Sequence, residues 1–224
     1  MILQVTGYYR EYPMNHGSRN KADRFFLWID AVGGYWVSLS DQVVLGQPGA
    51  TRTADVAILG DLSPRHARLR RDGENYLIEA LREVRLDGRP VNQMAVLSAE
   101  TTIQLGQSVR LRFSRPHALS ATARLDFASR HRTQPSVDAV LLMADTCVLG
   151  PRPHSHVVCR NWPEEVILYR HADQLYCRAK GRLEIDGSVY EGRGPISSSS
   201  RIVGDWFSLS LEAIPAPGEK GVGP

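Results

Sequence analysis

The sequence predicts an all-β protein built as two tandem β-sandwiches. Three observations carry that reading. Short segments alternate apolar and polar residues and are broken by turn signals, the pattern of strands with one buried face. No segment has the spacing of a long amphipathic helix. The order of segments in the first half recurs in the second at a near-constant offset of roughly a hundred residues, as tandem units would.

Taken in order, FFLWIDA (25–31) is followed by Gly33-Gly34 and then by YWVSLSD (35–41), a hairpin pattern. HARLRR (66–71) alternates and turns at Asp72-Gly73 into NYLIEA (75–80). VRL (84–86) meets Asp87-Gly88, a second hairpin turn, and Pro90 opens the return strand where proline is tolerated. TIQLG (102–106) leads into VRLRF (109–113), where Val109, Leu111 and Phe113 share one face and Arg110 and Arg112 the other.

The second half repeats this order. CVLG (147–150) echoes VVLG (43–46), EVILYR (165–170) echoes HARLRR, and QLYCRA (174–179) echoes NYLIEA. LEIDG (183–187) echoes VRLDG (84–88), again with Asp-Gly, and VGDWFSLSL (203–211) echoes LGQSVRLRF (105–113). Five matches in one order predict a first sandwich over 23–116 and a second over 117–214, joined near SRPHALSATA (114–123). Residues 1–22 are polar and aromatic without clear period; Tyr8, Tyr9 and Tyr12 could add a strand or stay mobile. The Pro- and Gly-rich 215–224 reads as a disordered tail.

Composition narrows the function classes. The chain has 224 residues, 42% hydrophobic and 23% charged, which is ordinary for a folded domain. No run of about 18 apolar residues exists, so no membrane span is predicted. The N-terminus lacks the order of a secretion signal, which makes a cytoplasmic location the default. A net charge of +3 is too weak to argue for nucleic acid. Three cysteines, Cys147, Cys159 and Cys177, are odd in number and suit reduced, buried thiols.

Motif order then points further. An LG pair is followed by the run DVAIL (55–59), by SxxHA (63–67), by a Tyr-centred strand, by VxLDG and by a closing LG strand. This order resembles a forkhead-associated (FHA) domain over most of 24–115, and a weaker version covers about 122–212. The resemblance implies tandem FHA-like β-sandwiches, the second degenerate, and loops at one end that bind phosphothreonine in a partner protein. In that family an Arg after the first Gly, a Ser-Arg pair in S-R-x-H and an Asn in N-G-T hold the phosphate, while the His props the loops. Arginine forks and short donors on rigid strand ends suit a phosphate dianion.

Carried over, Ser63 falls on the phosphate-binding Ser and His66 on the prop, with Gly46 and Gly88 as structural glycines. Gln47 stands where the first Arg is expected, Pro64 replaces the second, and Arg82-Glu83-Val84 replaces N-G-T. Losing two hydrogen bonds to a charged group weakens binding by about 3–6 kcal/mol, a factor on the order of 10² to 10⁴. The first copy therefore binds phosphate only if Arg52, Arg65 or Arg82 compensates; otherwise Ser63 is a turn hydroxyl. In the second copy Trp162 replaces the hydroxyl and Glu164 and Glu165 would repel a dianion, with Arg152 and Arg160 near enough to pair with them. The partner is thus a protein, phosphorylated or not, in Ser/Thr-kinase signalling by resemblance; a homo-oligomer stays open. The alternative is a phosphate-independent scaffold with an eroded pocket.

Other chemistries find less support. Asp61, Ser63 and His66 lie too close along one segment to orient around a carbonyl, and no G-x-S-x-G elbow exists. His154, His156, Cys147 and Cys159 suggest zinc by type, but no C-x-x-C is present and the cysteines sit in apolar strand patterns. The loops LGQPGA (45–50) and GRGP (192–195) match no nucleotide-binding pattern, so no cofactor and no metal are expected and no enzyme activity is predicted.

Overall fold

The computed structural model describes residues 23–49 and 53–214. The expectations for 1–22 and 215–224, and the site residue Arg52, lie outside the described residues. Within them all regular structure is strand. The first half forms β1 (Arg24–Ile29), β2 (Gly33–Ser38), β3 (Gln42–Gly46), β4 (Val56–Leu59), β5 (Ala67–Asp72), β6 (Asn75–Ala80), β7 (Val84–Leu86), β8 (Arg89–Pro90), β9 (Met94–Leu97), β10 (Glu100–Leu105) and β11 (Val109–Ser114). The second forms β12 (Ala123–Phe127), β13 (Arg132–Thr133), β14 (Ala139–Leu142), β15 (Thr146–Gly150), β16 (Val157–Val158), β17 (Val166–His171), β18 (Gln174–Ile185), β19 (Ser188–Ile196), β20 (Arg201–Gly204) and β21 (Ser208–Ala213).

Some strand pairings are alike in the two halves. β3 runs parallel to β4 and antiparallel to β5, and β15 likewise pairs with β16 and β17. The turns Asp87-Gly88 and Asp186-Gly187 both have two successive positive φ angles, 48° and 82° in one and 51° and 80° in the other. Glycine takes the second position because only it enters that region without cost. In both turns the Asp carboxylate accepts a backbone N–H from the strand beyond, Thr102 in one and Arg201 in the other. One difference is instructive. QLYCRA and LEIDG read as two strands, yet they are one strand, β18, with a register shift of the bulge kind between Arg178 and Arg182 and Gly181 at φ +85°.

The halves interlock through their opening hairpins. β1 pairs not with β11 but with β21, in the register Leu27↔Leu211 and Ile29↔Leu209. Reciprocally, β12 pairs with β11 in the register Leu125↔Phe113 and Phe127↔Leu111. The two hairpins meet at the centre, where β2 and β14 run parallel. Successive side chains of a strand face opposite ways, so these central strands serve two cores. Phe25, Leu27, Ile29, Tyr35, Val37, Ala139 and Leu141 pack with the second half, including Leu149, Leu168 and Leu209. Phe26, Trp36, Val140 and Leu142 pack with the first, including Leu45, Ile58, Leu69 and Phe113.

No single chain position therefore separates the two cores. A boundary at 116/117, as expected from the sequence, would part β12 and β14 from the first core, which they help to line, and β1 from the second. The physical reason is visible in FFLWI and AVLL, which lack alternation because both faces are buried.

Candidate functional site

Three loops meet at one end of the first core. They are β3–β4 with Gln47, β4–β5 with Ser63 and Arg65, and β6–β7 with Arg82 and Glu83. His66 ties them together. It is 5% exposed. Its Nδ1 accepts from the Ser63 backbone N–H at 3.3 Å, and its Nε2 lies 2.8 Å from the Glu83 carbonyl. The ring is thus the Nε2–H tautomer when neutral, donating to one loop and accepting from another. The His66 carbonyl accepts from the Leu81 and Arg82 N–H groups at 3.2 and 2.9 Å, and the Ser63 carbonyl accepts from Gln47 N–H at 3.2 Å. Both ring nitrogens are engaged with backbone, so neither serves as a base for the Ser63 hydroxyl.

Gly46 makes the loop approach feasible. A Cβ there would stand 2.2 Å from the Pro64 carbonyl oxygen and 2.7 Å from that of Ser63. Both atoms are backbone and cannot swing aside, so the position needs glycine for space rather than for φ. Gly88 has the other reason, its left-handed turn.

The four described ligand candidates, Ser63, Arg65, Arg82 and Gln47, are brought to this end together. Ser63 is half-buried, and its Oγ makes no hydrogen bond among the described residues. Arg65 and Arg82 are exposed, and neither has a carboxylate partner among the described residues. Arg82 donates from Nη1 only to the neighbouring Leu81 carbonyl at 2.8 Å. Glu83, the neighbour of Arg82 in the chain, is engaged by Arg85 at 3.2 Å. Sequence reading missed Thr53, whose hydroxyl donates to the Pro64 carbonyl at 3.4 Å and steadies the same loop. Gln47 also faces a cavity of about 650 Å³ with Phe26, Trp36, Pro48, Pro135 and Ile214.

The corresponding end of the second half is different. Trp162, at the place of Ser63, is buried rather than displayed, 5.4 Å from the rings of both Trp206 and Phe207. Arg152 faces Glu165 at 3.6 Å and Lys180 faces Glu164 at 3.0 Å, so two of its cations are matched by acids. Cys147, Cys159 and Cys177 are buried free thiols, each pushed up to about 12 by loss of solvation. Among the described residues no group of three or more His, Cys, Asp or Glu is placed to hold a metal ion.

No family model matches the chain, and no curated protein matches it. Among solved structures it is similar to the FHA domain of the CT664 protein from Chlamydia trachomatis, with 27% identity over 37% of this chain and 89% of that one, at a TM-score of 0.29. It is similar also to the FHA structure of Rv0020c, with 27% identity over 41% of this chain and 90% of that one, at a TM-score of 0.27.

Proposed function

We propose that the chain is a non-catalytic, FHA-like interaction module that binds a phosphothreonine-bearing segment of a partner protein at the first loop end, in Ser/Thr-kinase signalling. One observation carries the reading. The Ser63 hydroxyl, Arg65 and Arg82 are donors without a carboxylate partner among the described residues, on two loops that buried His66 holds together. A dianion needs such donors on a rigid frame, and a guanidinium group without a carboxylate partner breaks no ion pair when it turns toward it. Arg82 takes the place of the amide donor, and Arg65 stands in for the guanidinium groups missing at Gln47 and Pro64.

The test is titration of a phosphothreonine peptide library and its unphosphorylated counterpart against the wild type, Ser63→Ala and Arg82→Ala. Selective binding of phosphorylated peptides that falls about 10- to 150-fold in Ser63→Ala, from loss of one hydrogen bond to a charged group, supports the reading. Equal binding of both peptide sets defeats it. A second reading, a phosphate-independent scaffold, is favoured by the cavity beside Gln47, whose Phe26, Trp36 and Ile214 walls suit an apolar side chain rather than a phosphate.

A further inference from the structure

A cavity of about 590 Å³ opens on the outer face of the second half, where β18 and β19 pair. It shares no residue with the Ser63 loop end. Arg178 of β18 and Arg193 of β19 both line it, and they are register partners across the two strands. Register partners in an antiparallel pair put their side chains on the same face, with Cβ atoms about 5 Å apart. Two guanidinium charges are therefore set directly opposite each other. Both side chains are exposed, and neither has an ion pair or hydrogen bond among the described residues.

Like charges in facing positions destabilise a sheet. The acids nearby do not relieve them. Glu165 is taken by Arg152 at 3.6 Å and Glu164 by Lys180 at 3.0 Å. Glu191, two residues before Arg193, also lines the cavity. With the two ion pairs set aside, two arginines stand against one glutamate, an excess of one positive charge. The arginine pair also sits where the ladder breaks. The register of β18 and β19 shifts just after Arg178, and Gly192, beside Arg193, has φ +71°. Bulges of this kind re-aim the side chains next to them. Behind the pair the row continues to Ile167 on β17, an apolar floor.

The excess of one charge and the planar forks fit a carboxylate, which takes guanidinium donors two at a time. A phosphate dianion carries one charge too many and would meet Glu164, Glu165 and Glu191 around it. The exposure of both arginines means that a free small acid would keep much of its surface in water, unlike ligands held in closed pockets. A carboxylate carried on a chain gains the rest of its contact from the neighbouring surface. β19 pairs only with β18 among the described strands, which leaves room for an extended segment beside Arg193.

We propose that the Arg178–Arg193 cavity is a docking site for an acidic segment of a protein partner, and that one Asp or Glu side chain of that segment sits between the two guanidinium groups. The site is separate from the phosphothreonine reading of the first loop end and does not depend on it.

The experiment follows the Arg178 and Arg193 side-chain Nε–H signals of the full chain by NMR at pH 7 and constant ionic strength. The probes are blocked hexaglutamate, blocked hexaglutamine and sodium phosphate. Hexaglutamate is expected to move both signals, and hexaglutamine and phosphate to leave them in place. Arg178→Gln and Arg193→Gln are each expected to weaken hexaglutamate binding about tenfold or more, from loss of hydrogen bonds to a charged group. Arg89→Gln, an equal loss of charge on distant β8, and Ser63→Ala are expected to leave it unchanged. Free Arg193→Gln protein is expected to keep or raise its Tm, because one of two facing charges is gone. Unmoved arginine signals, an equal response to hexaglutamine, tighter binding of phosphate, or the same weakening in Arg89→Gln overturns the proposal. A lower Tm in Arg193→Gln with hexaglutamate affinity unchanged overturns it too, by showing that the arginines only brace the hairpin.

Discussion

Leu27→Ala tests the interlocked architecture most directly. Leu27 belongs to the opening strand of the first half, yet it is fully buried in the second core, where its register partner on β21 is Leu211. Removing its side chain deletes apolar contacts and leaves a void in a sheet held on both sides. The expected cost is about 2–5 kcal/mol. For a chain of this size that corresponds to a fall in Tm of about 4–20 °C. The assay is thermal unfolding of protein carrying fluorinated tryptophan, read separately at Trp36 in the first core and Trp162 in the second. Because β1, β2 and β14 line both cores, the two signals are expected to shift together and melt at one temperature. Separate transitions, with Trp162 displaced and Trp36 unmoved, would show that the cores unfold independently and that the shared central strands do not couple them.

Three further outcomes follow from particular contacts. An unfolded imidazole takes a proton near pH 6.5, whereas buried His156 resists until about 4. Between those values the unfolded chain holds the extra proton, so stability falls as pH falls, by up to about 3 kcal/mol from this group; urea titrations of His156→Gln should show a shallower acid slope than the wild type. Cys147, Cys159 and Cys177, buried and raised to about 12, should stay unreactive to iodoacetamide at pH 8 and label only on unfolding, and rapid native labelling would contradict their burial. Gly46→Ala forces a Cβ against the Pro64 carbonyl and should cost about 1–3 kcal/mol; hydrogen exchange should rise at the Gln47 and His66 amides, which bond across the same loops.

Strands with one wet face were legible because their alternation is written locally. VRLRF became β11 and NYLIEA became β6, with the bounds the pattern implied to within a residue. The Asp-Gly turns were legible because few residues accept two positive φ angles in succession. The loop end was legible in part: Ser63 and His66 announced themselves by spacing, but Thr53 gave no signal, since its bond to Pro64 depends on how two loops pack. The buried state of Trp162 was also hidden, because its partners Trp206 and Phe207 arrive from far along the chain. Arg124 and Asp126 looked like an ordinary pair on the outer face of a strand. Only the covering loop, some thirty residues onward, turns that face into a lined cavity.

From the amino acids alone came the all-β class and the turn positions, which follow from side-chain period and backbone sterics acting over a few neighbours. The doubled order of segments came from comparing the two halves, and the candidate residues of the loop end from the resemblance in motif order. Which hairpin completes which sheet could not be read that way. An apolar strand buried on both faces fits either closing strand equally well by composition, and the choice of β1 beside β21 and β12 beside β11 is made by long-range packing. The same choice laid the β15–β16 loop beside β11 and β12, where Arg124 donates to the His156 carbonyl.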